Sequence, residues 1–477
     1  MNISAKLKVS ASKSATSPSC KTLAVIVAIR NRNNKKQKMT KKIKLTLLFG
    51  LLFGTSFAQT LNTVKLDSLF QILETKDKFM GSIAVSENGK LLYTKSIGKD
   101  ELETNKHSTI LTKYRIGSIS KMFTSCLIFK AIEDKKLNLN QTIEKYFPTI
   151  ENANKITIEN LLNHRSGIHN FTNDENYLSY NTEPKSEKQM IEIIANGKSD
   201  FEPNSKADYS NSNYVLLSYI LEKTYKKTYK ELLNAKIIKP LGLKNTYFGD
   251  KTNIQNNESY SYSFEDKWEK ENETDMSIPM GAGAIISNPT DLVIFIENLF
   301  ANKIINSNSL EQMKTIKDNY GMGIFQVPFY EKIGFGHTGG IDGFGSVLSY
   351  FPETKLAIAL TSNGMVYENN NIIIATLSSY YNKPFEIPTF KSIELKTEDL
   401  DKYLGEYSKE NFPLKINVTK KGNKLFAQAT GQSAFPLEAI EKDIFEFSTA
   451  NIKMEFNPKE KQMTIIQGGR KTLMIKK

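Results

Sequence analysis

The spacing of apolar positions predicts strands near both ends of the first 385 residues and helices between them. Residues 67–74 read as a short helix. Two strand-like runs, 79–85 and 90–97, flank Asn88-Gly89, a pair suited to the positive φ angles of a two-residue hairpin turn. Residues 118–132 form one continuous apolar helix. From 155 to 242 the pattern is mostly helical, with apolar residues three or four apart at 213–221 and 229–233 and a stop at Pro240-Leu-Gly242. A strand over 282–286 and a helix over 289–299 follow. Strands over 346–351 and 356–361 then surround Pro352-Glu-Thr354, and a helix covers 371–381. Beyond Pro384 and Pro388 the pattern changes to short alternating runs at 414–418, 425–429, 445–447, 453–456 and 463–466. These predict an all-β unit of about 85 residues, a small barrel or curled sheet.

Charge alters this picture only at the N-terminus. The 477 residues carry a formal charge of +13, but residues 1–58 hold twelve Lys and Arg and no Asp or Glu, so 59–477 carry 13 − 12 = +1. A near-neutral body gives no basis for a nucleic-acid partner. From Met39 the chain reads MTKKIKLTLLFGLLFGTSFAQT, with basic residues, an apolar run over 43–53 and Ser56-Phe57-Ala58 before Gln59. That is the order of a secretory signal peptide, and the run is shorter than the roughly 20 apolar residues of a membrane span. The expectation is a leader over 1–58, with the signal at 39–58 and an over-called start at 1–38. The protein would then be bacterial and exported, periplasmic or extracellular, with no stable membrane span after cleavage. Cys126 is the one cysteine after the leader, so no intrachain disulfide can form there, and it reads as a buried structural thiol. The four histidines show no metal-ligand spacing, and neither metal nor cofactor is expected.

The candidate chemistry starts at YRIGSISKMFTSCLIF, residues 114–129. Ser118 and Lys121 are three apart and share a helix face. A base is what a serine hydroxyl needs to become a nucleophile, and first-turn N–H groups can hold an oxyanion. The spacing is weak by itself, since Ser10–Lys13 and Ser96–Lys99 repeat it. Two further segments add to it. Tyr209-Ser-Asn211 offers a phenol and an amide just before an apolar helix, although helix capping by Ser210 or Asn211 would explain the same residues. His337-Thr338-Gly339-Gly340 leads into a strand, with glycines that permit close approach of backbone to ligand.

In this order, Ser118-x-x-Lys121, Tyr209-x-Asn211 and His337-Thr338-Gly339 resemble the three motifs of penicillin-recognising serine hydrolases. The flanks ITIENLLNHRSGI, PMGAGAIISNPTDLVIF and FPETKLAIALTSN resemble the class C β-lactamase-related branch, which includes DD-carboxypeptidases, D-aminopeptidases and esterases. The resemblance covers about 61–381, and the tail from about Lys391 is similar to β-rich modules appended to secreted members. It implies an α+β, β-lactamase/transpeptidase-like fold: an antiparallel sheet flanked by helices, an all-helical region near 140–245, and a barrel-like C-terminal domain. The corresponding boundaries are 59–385 and 391–477.

The resemblance also implies acyl transfer through a serine ester. Ser118 would be the nucleophile, and Lys121 and Tyr209 would share the proton traffic, with either as the base. Asn211, His337, Thr338, Gly339 and Gly340 would bind substrate, the N–H groups of Ser118 and Gly340 holding the oxyanion. The substrate would be a small molecule or peptide cleaved at a peptide, amide or ester bond, with peptidoglycan-derived D-amino-acid peptides among the candidates. The alternative is a non-catalytic peptidoglycan- or partner-binding protein on the same scaffold; no motif speaks to oligomeric state. Two positions depart from the family pattern. His337 stands where β-lactamases usually carry lysine, and an ordinary histidine, with a pKa of about 6.5, is mostly neutral at pH 7. That predicts weak attraction for carboxylates and weak β-lactam hydrolysis. Asn204 stands where relatives often have a Pro-Gly turn glycine, and asparagine tolerates the left-handed backbone such a turn needs.

Overall fold

The computed structural model describes residues 61–264, 267–410, 414–447, 452–467 and 470–477. The leader reading over 1–58 lies outside the described residues. The first helix, α1 (Thr63–Thr75), is capped by the Asn62 side chain, which accepts from Lys65 N at 3.1 Å. It is longer than the apolar pattern alone suggests, and it buries Leu66, Leu69, Phe70 and Leu73. Strands β1 (Phe79–Glu87) and β2 (Lys90–Ile97) form the expected hairpin. Asn88 and Gly89 both take positive φ, 51° and 81°, as a two-residue turn with the right-handed strand twist requires.

Helices α2 (Ser120–Glu133), α3 (Asn211–Tyr225) and α4 (Pro289–Phe300) follow. The chain then returns to the sheet as β3 (Phe325–Phe329), β4 (Lys332–Ile341), β5 (Phe344–Phe351) and β6 (Leu356–Met365), and α5 (Asn369–Tyr380) closes this part. The sheet order is β3-β4-β5-β6-β1-β2, antiparallel throughout. β6 pairs with β1 in the register Ser82↔Thr361, which brings the two ends of the sequence pattern into one sheet. These two strands are buried along almost their whole length because helices cover both faces. Leu66, Phe70, Ile358 and Ile372 share the core on one face, and Phe123, Leu127, Phe295 and Ala359 share the other. Helix α2 is buried on every side, as an unbroken apolar run requires.

Two elements differ from the sequence reading. The strand expected over 282–286 is a helical turn, Met280–Gly283, followed by a strand at Ile285–Ser287. Gly281 lies so close to α2 that a methyl group there would sit 2.8 Å from Thr124 Oγ1. Strands β3 and the first half of β4 carried no readable signal, because KIGFGHTGGI holds four glycines, which strands disfavour.

The tail is a closed eight-stranded barrel running Gly405–Ser408, Ile416–Lys421, Lys424–Ala429, Phe435–Glu441, Ile444–Phe447, Ile452–Asn457, Gln462–Gln467 and Arg470–Lys476. It closes where Tyr407 pairs with Lys476. Tyr407, Val418, Leu425, Phe445, Met454 and Met474 fill its interior. Among the described residues, no helix is long and apolar enough to cross a membrane.

Phe390 is buried with the side chains under the sheet, against Tyr367 at 5.8 Å between ring centroids. A chain cut after Lys391 therefore keeps that core intact and removes only the barrel. Its hydrolysis of a small neutral ester is expected to stay within about threefold of the full chain, measured as kcat/KM, because separable domains keep their own cores.

Candidate active site

A short strand pair, Tyr114–Arg115 with Ser287 and Ile286, delivers the chain to Gly117. There φ is +48°, and a methyl group would meet the backbone N, C and O of Gly340 at 2.8–2.9 Å. Ser346 Oγ donates to Ile116 O at 2.8 Å, fixing this segment against β5. Ser118 sits in a tight 3₁₀ turn, Gly117–Ile119, immediately before α2 rather than inside it. It is half-buried and lines a cavity of about 1480 Å³ together with Thr172, Asn211 and Gly340.

Lys121 is fully buried, one turn along. Its Nζ lies 3.0 Å from Ser118 Oγ, 2.8 Å from Asn211 Oδ1 and 2.9 Å from Ala282 O. Burial holds this amine well below the usual lysine range, and among the described residues it has no ion-pair partner. Two of the three oxygens around Nζ are carbonyls that only accept, whereas the Ser118 hydroxyl accepts from an ammonium and can donate to the amine once Nζ has lost a proton.

The neighbours fix that arrangement. Asn211 Nδ2 donates to Thr172 Oγ1 at 3.1 Å, and Thr172 Oγ1 donates to Asn170 Oδ1 at 3.1 Å. Asn170 Oδ1 also accepts Asn211 N at 3.0 Å, so the amide of Asn211 must turn its oxygen to Lys121. The unexpected helical turn at 280–283 supplies the other acceptor, because carbonyls at a helix end have no partner inside the helix.

Burial pushes the Tyr209 phenol pKa upward, more than the neighbouring Ser118 hydroxyl lowers it, so it carries its proton at neutral pH. Lys121 Nζ lies 4.8 Å from its ring centroid. The His164 ring packs against Tyr209 at 4.4 Å. His164 has φ +59°, and its Nδ1 accepts the Ser210 N–H at 3.2 Å, which places its proton on Nε2. His164, Asn170 and Thr172 were not singled out from the sequence, although His164 and its Arg-Ser-Gly stretch lay in a quoted flank. Asn204 takes φ +67° and its Oδ1 accepts from Arg165 Nε at 2.9 Å, so the turn expected there forms without glycine.

The third motif splits in two. His337 is buried beneath Phe325 and Tyr209, with ring centroids 4.2 and 6.3 Å away, and it does not line the cavity. Its Nδ1 bonds to the Thr338 carbonyl, while Nε2 has no partner among the described residues. Burial, and then the nearby Lys121, push its pKa down to about 3, so it is neutral throughout the physiological range. Thr338 is exposed, Gly339 is half-buried, and Gly340 reaches the cavity wall. A methyl group on Gly339 would overlap the Ile116 carbonyl and approach Ser118 N to 3.0 Å. Among the described residues, no group of three or more His, Cys, Asp or Glu is arranged to hold a metal.

Comparison with known proteins agrees with this fold. The family model described as Beta-lactamase matches residues 70–377. A teichoic acid D-alanine hydrolase of Staphylococcus aureus is 29% identical over 324 residues, 64% of this chain and 76% of that protein. Among solved structures, the octameric penicillin-binding protein homologue from Pyrococcus abyssi superposes with a TM-score of 0.63 at 23% identity, covering 87% of this chain and all of that one. The D-amino acid amidase from Ochrobactrum anthropi, complexed with D-phenylalanine, gives 0.59 at 24% identity, covering 67% of this chain and 99% of that one.

Replacing Gly339 by Ala is expected to lower kcat for a small ester by about 100-fold, because displacements near 1 Å at the reacting groups cost that much. Active-site titration alongside a thermal melt checks it.

The buried histidines give a second expectation. The folded-state pKa of His337, about 3, and that of His164, also lowered by burial, lie below the ordinary value near 6.5. The unfolded chain therefore binds more protons below about pH 6.5, and stability falls as pH drops through that window. Tm measured from pH 7 to pH 5 should decline, and less steeply in His337→Gln. The pH profile of kcat/KM for a neutral ester should show no inflection near 6.5 that His337→Gln removes.

Proposed function

Since the chain belongs to the beta-lactamase family of serine hydrolases, we propose that it cleaves D-aminoacyl esters and amides through an acyl-enzyme on Ser118. The observation that carries this reading is the buried Lys121 amine 3.0 Å from the Ser118 hydroxyl, its pKa held well below the usual lysine range by burial. The named activities of the staphylococcal relative and of the Ochrobactrum amidase support the D-aminoacyl substrate class.

In this reading Lys121 takes the Ser118 proton as Oγ forms its bond to the substrate carbonyl carbon. The N–H groups of Ser118 and Gly340 hold the resulting oxyanion. When the carbon–leaving-group bond breaks, the Tyr209 phenol gives its proton to the departing oxygen or nitrogen, and the Lys121 ammonium restores it. Water enters by the reverse sequence, frees the acid and regenerates Ser118. Neutral His337 supplies no charge to the cavity, which fits esters and amides better than penicillins with their carboxylate. The signal-peptide pattern before Gln59 supports action outside the cytoplasm, on cell-envelope material.

Intact-mass spectrometry after a fluorophosphonate probe, followed by turnover of D-alanyl p-nitroanilide, tests the reading. Wild type should gain one adduct and turn over the anilide, whereas Ser118→Ala should do neither; an adduct persisting on Ser118→Ala would place the nucleophile elsewhere. Lys121→Ala and Tyr209→Phe should each lower kcat by 100-fold or more on the order-of-magnitude scale of general acid–base catalysis. The double variant should lose far less than the product of the two, since both serve one proton path.

A further inference from the structure

Three residues before Ser118, Arg115 lines the same cavity with its side chain only 2% exposed. A buried guanidinium beside a serine nucleophile is the obvious anchor for a substrate carboxylate. Here it is already engaged. Nη1 donates to Asp342 Oδ2 at 3.1 Å and to Thr274 O at 2.7 Å. Nη2 donates to Glu273 Oε2 at 2.5 Å and to Asp250 O at 3.2 Å. Asp342, just beyond Gly340 in the turn after β4, also accepts Thr274 N and Oγ1, at 3.1 and 2.6 Å, through its other oxygen.

One arginine thus joins the segment that carries Ser118, the turn after the oxyanion strand, and the cavity wall at 273–274. Two carboxylates stand against its single charge, so the cluster is net negative. Asp275 lines the cavity as well and has no ion-pair partner among the described residues. The cavity's lysines, Lys230, Lys251 and Lys270, are exposed, where water and salt screen them.

We propose that Arg115, Asp342 and Glu273 form a charge-cancelling clamp that makes the pocket reject substrate carboxylates and favour acyl groups bearing an ammonium. The proposal rests on the assignment of Ser118 as nucleophile. It identifies the clamp as the determinant of which charged D-amino-acid derivatives that serine meets.

A matched series with one leaving group tests it: D-alanyl, N-acetyl-D-alanyl and N-succinyl-D-alanyl p-nitroanilide, which place an ammonium, no charge and a carboxylate at the same end. Wild type should prefer them in that order by kcat/KM. Glu273→Gln and Asp342→Asn each leave the guanidinium less compensated. Each should lower the ammonium-to-carboxylate ratio by about tenfold, the size expected of one charge at short range in a partly screened site. Arg115→Met should raise the same ratio, since it removes the cation and keeps both carboxylates.

That opposite sign is what a merely structural role cannot produce, because loosening the wall would erode the ratio in all three variants. If Asp342→Asn or Arg115→Met fails to fold, the half-exposed Glu273 still decides through Glu273→Gln. Persistent Ser118 labelling with an unchanged ratio in Glu273→Gln overturns the clamp and leaves the nucleophile assignment standing. Absence of Ser118 labelling in wild type overturns both.

Discussion

The site depends on one amine kept out of water. Lys121 is enclosed among Ser118, Asn211, Ala282 and the rings of Tyr209 and Tyr214, with no carboxylate paired to it among the described residues. A charged ammonium there would carry a desolvation cost that no neighbouring anion offsets. Burial therefore pushes this amine toward its neutral form, in which a lone pair can take the Ser118 hydroxyl proton. The strand-to-helix switch at 280–283, the Asn170–Thr172–Asn211 chain of hydrogen bonds and the all-round burial of α2 all serve that geometry. Burial pushes Tyr209, Lys121, His164 and His337 all toward their neutral forms.

Around this buried centre the backbone is held by contact and by charge. Gly117 touches Gly340 and Gly339 touches Ile116, so Ser118 and the end of β4 approach as closely as two chains can. Outside that contact, the Arg115 guanidinium ties the same two segments to the wall of the cavity. Charge is therefore placed where it fixes position and is balanced or exceeded by carboxylates, rather than left open to a ligand. The sheet makes this possible. Antiparallel pairing of β1 with β6 brings together segments from opposite ends of the pattern, and β4 and β5 then lie beside the start of α2.

Much of this was legible in the sequence because it rests on periodicity and short motifs. The hairpin at Asn88-Gly89, the buried helix after Ser118, the strand pair around Pro352 and the β-rich tail all follow from spacing and turn residues. Ser118, Lys121, Tyr209 and Asn211 stand in three-residue and two-residue relationships that a helix or its entry turn preserves. What escaped depended on contacts between distant segments. Strands 405–408, 435–441 and 470–476 of the barrel are recognisable only once the barrel closes. The helical turn at 280–283 exists because Gly281 lets it lie against α2 and α3. Thr172 and Asn170 act through an amide 39 and 41 residues away, and Arg115 through carboxylates 158 and 227 residues away. His337 shows the limit of motif reading most clearly: its position marks the substrate side of the strand by analogy, but its burial puts the imidazole behind Tyr209.

The protonation state of Lys121 tests the central claim most directly. Lysine labelled with ¹³C at Cε and δ, followed by NMR across pH 5 to 11 in wild type and in Lys121→Met to assign the resonance, reports that state without reference to turnover. The structure predicts a Cε shift that moves to the free-amine position well below the ordinary value near 10.4. A resonance that stays in the ammonium position until above pH 10 would contradict the account, and with it the role of Lys121 as the base that activates Ser118.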